Sequence, residues 1–253
     1  MIQFMRMEVA LETDRTVSIP ISYNYQLSSL IYKNISDSFQ GIHDRGFPVG
    51  KRNFKLFTFS RLKFLQKYGM EGRNIIVKGS MSFVFSTPVN DLAQEFGRSV
   101  MESGVTRIGS GNFRISSVYV MPTPASTSEA FVRMLSPVTM YSTLKSGDGR
   151  KKTYYYSPYE KEFSTLLQEN ARKKRAALSK KEVDAASLSV TPFGRQREVL
   201  VNYKETIVKG WLGIYKLEGD PGLISLTYDA GLGSKNSEGF GCFEFLEVKP
   251  DVA

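Results

Sequence analysis

The chain has 253 residues, room for one large domain or two small ones at about 100–200 residues each. Apolar residues make up 41%, enough to build cores, which argues against disorder. The single cysteine, Cys242, excludes an internal disulfide framework and any multi-cysteine zinc site, and fits a reducing cytoplasm. The single histidine, His43, excludes every two-histidine metal motif. Lysine plus arginine exceed acids by 34 to 25, a net charge of +9 that points to a polyanionic partner. No apolar run approaches the roughly 18 residues that span a bilayer, and Arg6 and Glu8 make the first eleven residues unlike a signal peptide.

Met5, Met7, Val9 and Leu11 alternate with Arg6, Glu8 and Ala10, the period of a strand. Leu27, Leu30, Ile31 and Ile35 follow at helical spacing, with Asn24 as candidate N-cap. A loop rich in glycine precedes predicted strands at 54–60 and 75–85. Val89, Leu92, Ala93, Phe96 and Val100 then mark a second helix, and 113–121 a further strand. Strand, helix, strand, strand, helix, strand is the ferredoxin-like order. Residues 122–129 (PTPASTSE) are short, polar and rich in turn formers, and read as a linker. The order then repeats. Strands are expected at 131–141 and 152–156. Phe163, Leu166, Leu167 and Ala171 begin a helix ending in the basic run 172–175. Strands are expected around 199–208 and 211–217, a short helix at 221–230 capped by Asp220, and a closing strand at 240–248. The expected division is an N-terminal domain, 1–121, a linker, 122–129, and a C-terminal domain, 130–253.

Residues 231–241, GLGSKNSEGFG, carry four glycines at spacing GxGxxxxxGxG between a helix and a strand. They match neither the dinucleotide fingerprint nor the P-loop, and follow a helix where both of those follow a strand. The glycines permit positive φ and close backbone approach, and Lys235 with neighbouring N–H groups suits a phosphate chain; a flexible turn is the plainer alternative. His43 sits in the loop after the first helix, beside Asp44 and Arg45. Its imidazole, near pKa ~6.5, suits general acid–base work at neutral pH. Tyr32 shares a helix face with Tyr25, Ser29 and Ser36. By strand parity Lys55 points with Phe57 and Phe59. Lys51 and Arg52 stand just before it. The basic groups 150–152, 172–175 and 180–181 are weaker signals, since charge runs are usually solvated faces, although Tyr154–Tyr156 beside the first of them could stack bases. No constellation of acids suits a two-metal nuclease, and the sequence calls for no cofactor.

With these residues in view, the chain resembles the CRISPR-associated endoribonucleases that cut precursor CRISPR RNA, the sixth Cas family of the RAMP superfamily. The glycine-rich segment is similar to that family's signature, G-x-G-x-x-x-S-x-G-F-G. SLIYKNI (29–35), the HD of His43 and Asp44, FKLFTFS (54–60), SPV (136–138) and the KEF of 161–163 support it. The resemblance implies an α+β fold of two tandem ferredoxin-like domains around a central cleft. It also implies metal-independent cleavage within the repeat, leaving 2′,3′-cyclic phosphate and 5′-hydroxyl ends. One branch of the family uses a tyrosine on the first helix, a histidine in the next loop and a lysine beside the following strand; Tyr32, His43 and Lys55 fall at these positions, with Lys51 as the substitute lysine. The glycine loop, through Gly231, Gly233, Ser234, Lys235, Asn236, Gly239, Phe240 and Gly241, together with Lys51 and Arg52, would then hold the RNA. CRISPR repeat RNA is the implied partner, with other Cas proteins and a second copy of the chain as further candidates and no membrane. Some relatives bind repeat RNA without cutting it, which keeps a non-catalytic subunit as the alternative.

Overall fold

The computed structural model describes residues 6–35, 46–145, 149 and 151–247. His43, Asp44, Arg45 and Arg150 lie outside them. The first half runs β1 (Arg6–Pro20), α1 (Asn24–Lys33), β2 (Phe47–Val49), β3 (Arg52–Phe54), β4 (Thr58–Phe59), β5 (Lys63–Phe64), β6 (Gly69–Glu71), β7 (Asn74–Ser86), α2 (Asn90–Ser103), β8 (Val105–Ile108) and β9 (Gly111–Val120). The strands join in the order β4–β7–β1–β9–β8, with β5 and β6 also on β7. This is the ferredoxin-like arrangement, in which the first and third principal strands lie side by side at the centre. Met7, Val9 and Leu11 face Leu27 and Ile31 of α1 and Leu92, Phe96 and Val100 of α2 in one core. The Phe85 and Phe96 rings lie 4.2 Å apart at its centre. Each such side chain contributes about 1.5–3 kcal/mol by leaving water.

The second half repeats the plan with β10 (Glu129–Met134), β11 (Tyr141–Lys145), β12 (Lys151–Tyr155), α3 (Lys161–Ser179), β13 (Leu188–Tyr203), β14 (Thr206–Gly219), α4 (Pro221–Ala230) and β15 (Phe243–Phe245). Its sheet runs β13–β14–β10–β15, and β11–β12 is a separate hairpin between β10 and α3. Phe163 and Leu167 of α3 and Leu223 and Ile224 of α4 pack on Val132, Trp211, Tyr215 and Leu217. The Asp220 carboxylate accepts from the Leu223 N–H at 2.9 Å, the expected cap.

Several elements depart from the sequence reading. Residues 54–60 are not one strand: Leu56 has φ +50°, and only Thr58–Phe59 pairs with β7. Residues 199–208 span a hairpin turn, since Lys204 and Glu205 both have positive φ; this two-residue geometry usually announces itself by Asn-Gly or Asp-Gly. The expected strand at 131–141 stops at Met134 and resumes as β11, and the closing strand is only β15. The helix carrying 172–175 continues to Ser179. Asn24 is the first helical residue rather than the cap, which is Tyr23. Among the described residues no helix is long and apolar enough to cross a membrane.

The halves are joined by buried polar contacts. The Arg6 guanidinium donates to the carbonyl oxygens of Tyr228 (3.1 Å) and Phe243 (2.5 Å) and lies 3.9 Å from the Tyr228 ring centroid. Beside it, burial pushes the Asp229 carboxyl up to about 7, with Arg6 opposing. Because that value lies above the unfolded value of about 3.9, the native state holds the proton longer. Stability from this group is intact below about pH 4 and falls as pH rises toward 7, by at most about 1.4 kcal/mol per pH unit. Asp229→Asn is expected to flatten that slope. Urea unfolding should find the variant close to wild type at pH 4 and more stable than it at pH 8.

Candidate active site

The glycine-rich loop, 231–241, lies between the halves and is held from both. From the second half, the buried Lys174 ammonium donates to the carbonyl oxygens of Gly231 (2.6 Å) and Gly233 (2.8 Å) and to Asn236 Oδ1 (2.6 Å). Burial pushes this lysine down to about 7. The three acceptors work against that shift, since only the protonated amine has three N–H groups. Asn236 in turn donates Nδ2 to the Leu232 and Phe240 carbonyls. From the first half, Asn24 Nδ2 donates to Glu238 O, Ser28 Oγ to Ser237 O, and Thr58 Oγ1 to Phe240 O.

This explains the glycines. A Cβ on Gly241 (φ +78°) would collide with the Leu232 carbonyl oxygen. One on Gly239 (φ +88°) would collide with Asn24 and Phe59, one on Gly233 (φ +76°) with the Thr139 carbonyl, and one on Gly231 (φ +84°) with Asn236 and Thr58. At all four the space is taken by the protein itself, so the close approach the spacing announces is, in this structure, that of the chain's own atoms. Phe240 is fully buried. Ser234 donates its N–H to Thr139 O (2.9 Å). The outward part of the loop is the short 3-10 turn Asn236–Glu238 and Lys235 before it, whose φ is +60°.

Two adjoining clefts open on that outward part. One, of about 440 Å3, is lined by Tyr32, Lys55, Tyr203, Lys204, Lys235, Ser237 and neighbours. The other, of about 450 Å3, is lined by Arg52, Lys55, Tyr141, Asn170, Lys174 and the loop from Gly233 to Glu238. Among the described lining residues Arg52, Lys55, Lys174, Lys204 and Lys235 stand against the single carboxylate of Glu238, which pairs with Lys235 at 2.9 Å. Tyr32 and Lys55 thus come together on one wall, facing the loop. Lys51, exposed in the β2–β3 turn, lines neither cleft. Tyr32 packs edge-on against Phe57, ring centroids 5.3 Å apart. Burial pushes its phenol up to about 12, and a side-chain hydrogen bond with Ser237 opposes the shift. The β13–β14 hairpin roofs this wall from the other half: Tyr203 Oη donates to Ser28 Oγ (3.1 Å) and its ring meets Tyr25 edge-on.

The sequence reading missed Lys174, Asn170, Asn24, Ser28, Thr58 and Tyr203. Lys174 stands in the run 172–175, which looks like a solvated face. In fact Lys173 pairs with Glu169, Arg175 with Asp184 and Asp220, and Arg172 donates to the Ala185 and Ala186 carbonyls. One signal was available: Lys174 is at helical spacing from Phe163, Leu167 and Ala171, on the buried face. Among the described residues no group of three or more His, Cys, Asp and Glu is placed to hold a metal.

Two ferredoxin-like halves meet at a cationic cleft, with a glycine-rich loop of the second set into the first, and define a tandem ferredoxin-like protein. The family models "CRISPR-associated protein Cas6, N-terminal" and "CRISPR associated protein Cas6, C-terminal" match residues 18–119 and 121–245. The chain belongs to the Cas6 family. It is 29% identical over 255 residues to CRISPR-associated endoribonuclease Cas6 1 of Methanocaldococcus jannaschii, across 97% of this chain and 94% of that one. A solved CRISPR-associated protein Cas6 superposes with TM-score 0.80 at 27% identity, covering 96% of this chain and 99% of that one. A solved RAMP protein binding different RNA substrates has the same fold, TM-score 0.82 at 19% identity, over 96% of this chain and all of that one.

The loop is expected to be intolerant of added volume and of losing its ammonium. Gly241→Ala combines left-handed backbone with a carbonyl collision, and should cost about 3 kcal/mol or more. Gly50→Ala, at φ +55° but in open space, should cost only about 1 kcal/mol. Lys174→Met leaves three acceptors without a donor, at about 1–3 kcal/mol each when buried. Thermal denaturation should rank the variants with Gly50→Ala clearly the mildest.

Proposed function

We propose that this chain is an endoribonuclease that cuts CRISPR repeat RNA within precursor transcripts. The observation that carries the reading is the meeting of Tyr32 and Lys55 with Lys235 of the glycine loop around one cationic cleft. The name of the M. jannaschii relative, an endoribonuclease, supports it. The proposed division is that of the sequence, 1–121 carrying the catalytic side chains and 130–253 carrying the loop, with 122–129 between them.

RNA supplies its own nucleophile. The 2′-hydroxyl attacks the adjacent phosphorus, the P–O5′ bond breaks, and the products are a 2′,3′-cyclic phosphate and a 5′-hydroxyl. The protein must hold the three reacting atoms in line, move two protons and offset the charge of the phosphorane. A phenol held at about 12 is protonated at neutral pH, so Tyr32 serves as a donor. This leaves the base's role to His43. Lys55 supplies positive charge to the phosphorane. Gly46, three residues after His43 in the chain, is seated against the Phe54 carbonyl and the Lys55 side chain, which supports His43 as the third member. The loop's Lys235, with Arg52 and Lys204, would hold phosphates.

Cleavage should persist in EDTA and leave a cyclic phosphate on the upstream product, read by its resistance to a kinase-free phosphatase and its opening by acid. Loss of activity with chelator and recovery with magnesium would overturn metal independence.

His43→Ala should slow single-turnover cleavage by ~10²-fold or more while leaving affinity nearly unchanged. Tyr32→Phe and Lys55→Ala should act on the same step, with effects that need not add. A repeat with a 2′-deoxy sugar at the cut site should bind and stay whole. Wild-type cleavage rates from His43→Ala would remove His43 from the site. A wild-type protein that binds repeat RNA but never cuts it would make the chain a binding subunit.

A further inference from the structure

Asn170 lies on α3 one turn before Lys174, on the same helix face. Its side chain is buried, with 4% of its surface exposed, and it lines the cleft of about 450 Å3. Among the described residues its Oδ1 has no hydrogen-bond partner. A buried amide oxygen left without a donor costs about 1–3 kcal/mol, and native proteins keep few such atoms unless water or a ligand completes them. Lys174, one turn further along the same face, does not complete it, because its three N–H groups go to Gly231 O, Gly233 O and Asn236 Oδ1.

The same cleft has an aromatic wall in Tyr141, whose ring centroid lies 5.8 Å from the Lys235 ammonium. At its exposed edge stands Arg52, with Lys55 beside it. A carboxamide at the buried end, a ring along one wall and cations at the mouth match a nucleotide with its base inward and its phosphate outward. A half-turn about χ2 exchanges the two ends of the carboxamide, so the side chain can present an acceptor and a donor side by side. That pair complements an exocyclic amine and its neighbouring ring nitrogen, as carboxamides do with adenine.

We propose that Asn170 is a specificity-determining residue that reads one unpaired, amino-bearing nucleobase of the bound RNA in the cleft between the β2–β3 hairpin, α3 and the glycine loop. This rests on the endoribonuclease reading, and it places the reading of a base in the C-terminal half, beside the proposed catalytic side chains but separate from them.

The test uses the full chain and synthetic repeat RNAs. Adenosine is replaced by purine riboside, cytidine by uridine and guanosine by 2′-hydroxyl-bearing inosine, one position at a time. At one position, loss of the amine should weaken wild-type binding about tenfold. Asn170→Ala should lose the same factor on the natural repeat and no longer distinguish the two bases there, with cleavage at saturating protein within about threefold of wild type. Where the alanine variant fails to fold, Asn170→Leu, of similar size and helix-favouring, carries the same test. Variants that bind the natural repeat as wild type does, or that keep its base preference, overturn the proposal and leave Asn170 completed by water. A wild type that cuts the repeat but shows no amine-dependent position overturns this inference alone; one that neither binds nor cuts repeat RNA overturns the proposed function with it.

Discussion

A single buried ammonium organises the centre of this molecule. Lys174 is a compact charge with three donors, and it spends all three on the glycine loop. An arginine's planar fork could not converge on acceptors arranged around a point, and a neutral side chain would leave the carbonyls of Gly231 and Gly233 without this donor. The loop's glycines are the counterpart of that grip, because each surrenders the volume of a side chain to Thr139, Asn24, Thr58 or the loop's own carbonyls. The clefts, their cationic lining and the position of Lys235 all follow from a loop fixed this tightly. A loop on such a support is pre-organised, and under the proposed function an RNA that meets it would not have to order it.

The electrostatic character of the clefts comes from selection among many charges rather than from their number. The densest basic run in the sequence is absorbed by internal partners: Arg175 bridges Asp184 and Asp220, and Arg172 ties down the chain after α3. The other cations at the clefts come from separate stretches of the chain, Arg52 and Lys55 from one half and Lys204 and Lys235 from the other. Burial of Tyr32 adds a different kind of control. Packed on Phe57, its phenol keeps its proton across the neutral range, which makes it useful as a donor and useless as a base.

How much of this the sequence disclosed depended on whether a local rule governed the segment. Period two in β1, period 3.6 in α2 and the Asp220 cap were legible because burial on one face or one orphan N–H dictates the residue type. The element order then identified the fold. Residues 54–60 misled because Leu56 adopts a left-handed backbone with no glycine to announce it, and that single residue breaks strand parity. The Lys204–Glu205 turn hid for the same reason. The glycine loop was conspicuous, yet two of its glycines are explained by neighbours more than a hundred residues away in the chain, Gly239 by Asn24 and Gly231 by Thr58, and Asn24 also bonds Glu238, 214 residues from it. Lys174 and Asn170 were invisible as site residues, since a lysine in a basic run and an asparagine in a polar helix acquire meaning only when the loop arrives beside them.

That long sequence separation bears on synthesis. A ribosome emits Tyr32, His43 and Lys55 early, and the first half can collapse on its own core while the remainder is still being translated. The carbonyls that Asn24, Ser28 and Thr58 grasp belong to residues 237–240, which appear almost last. Until then those three donors face solvent or transient partners, and the clefts have no loop wall. Completion of the proposed RNA-binding surface is therefore tied to completion of the polypeptide, and a chain interrupted before residue 231 carries the first half's proposed catalytic side chains without the loop wall that faces them.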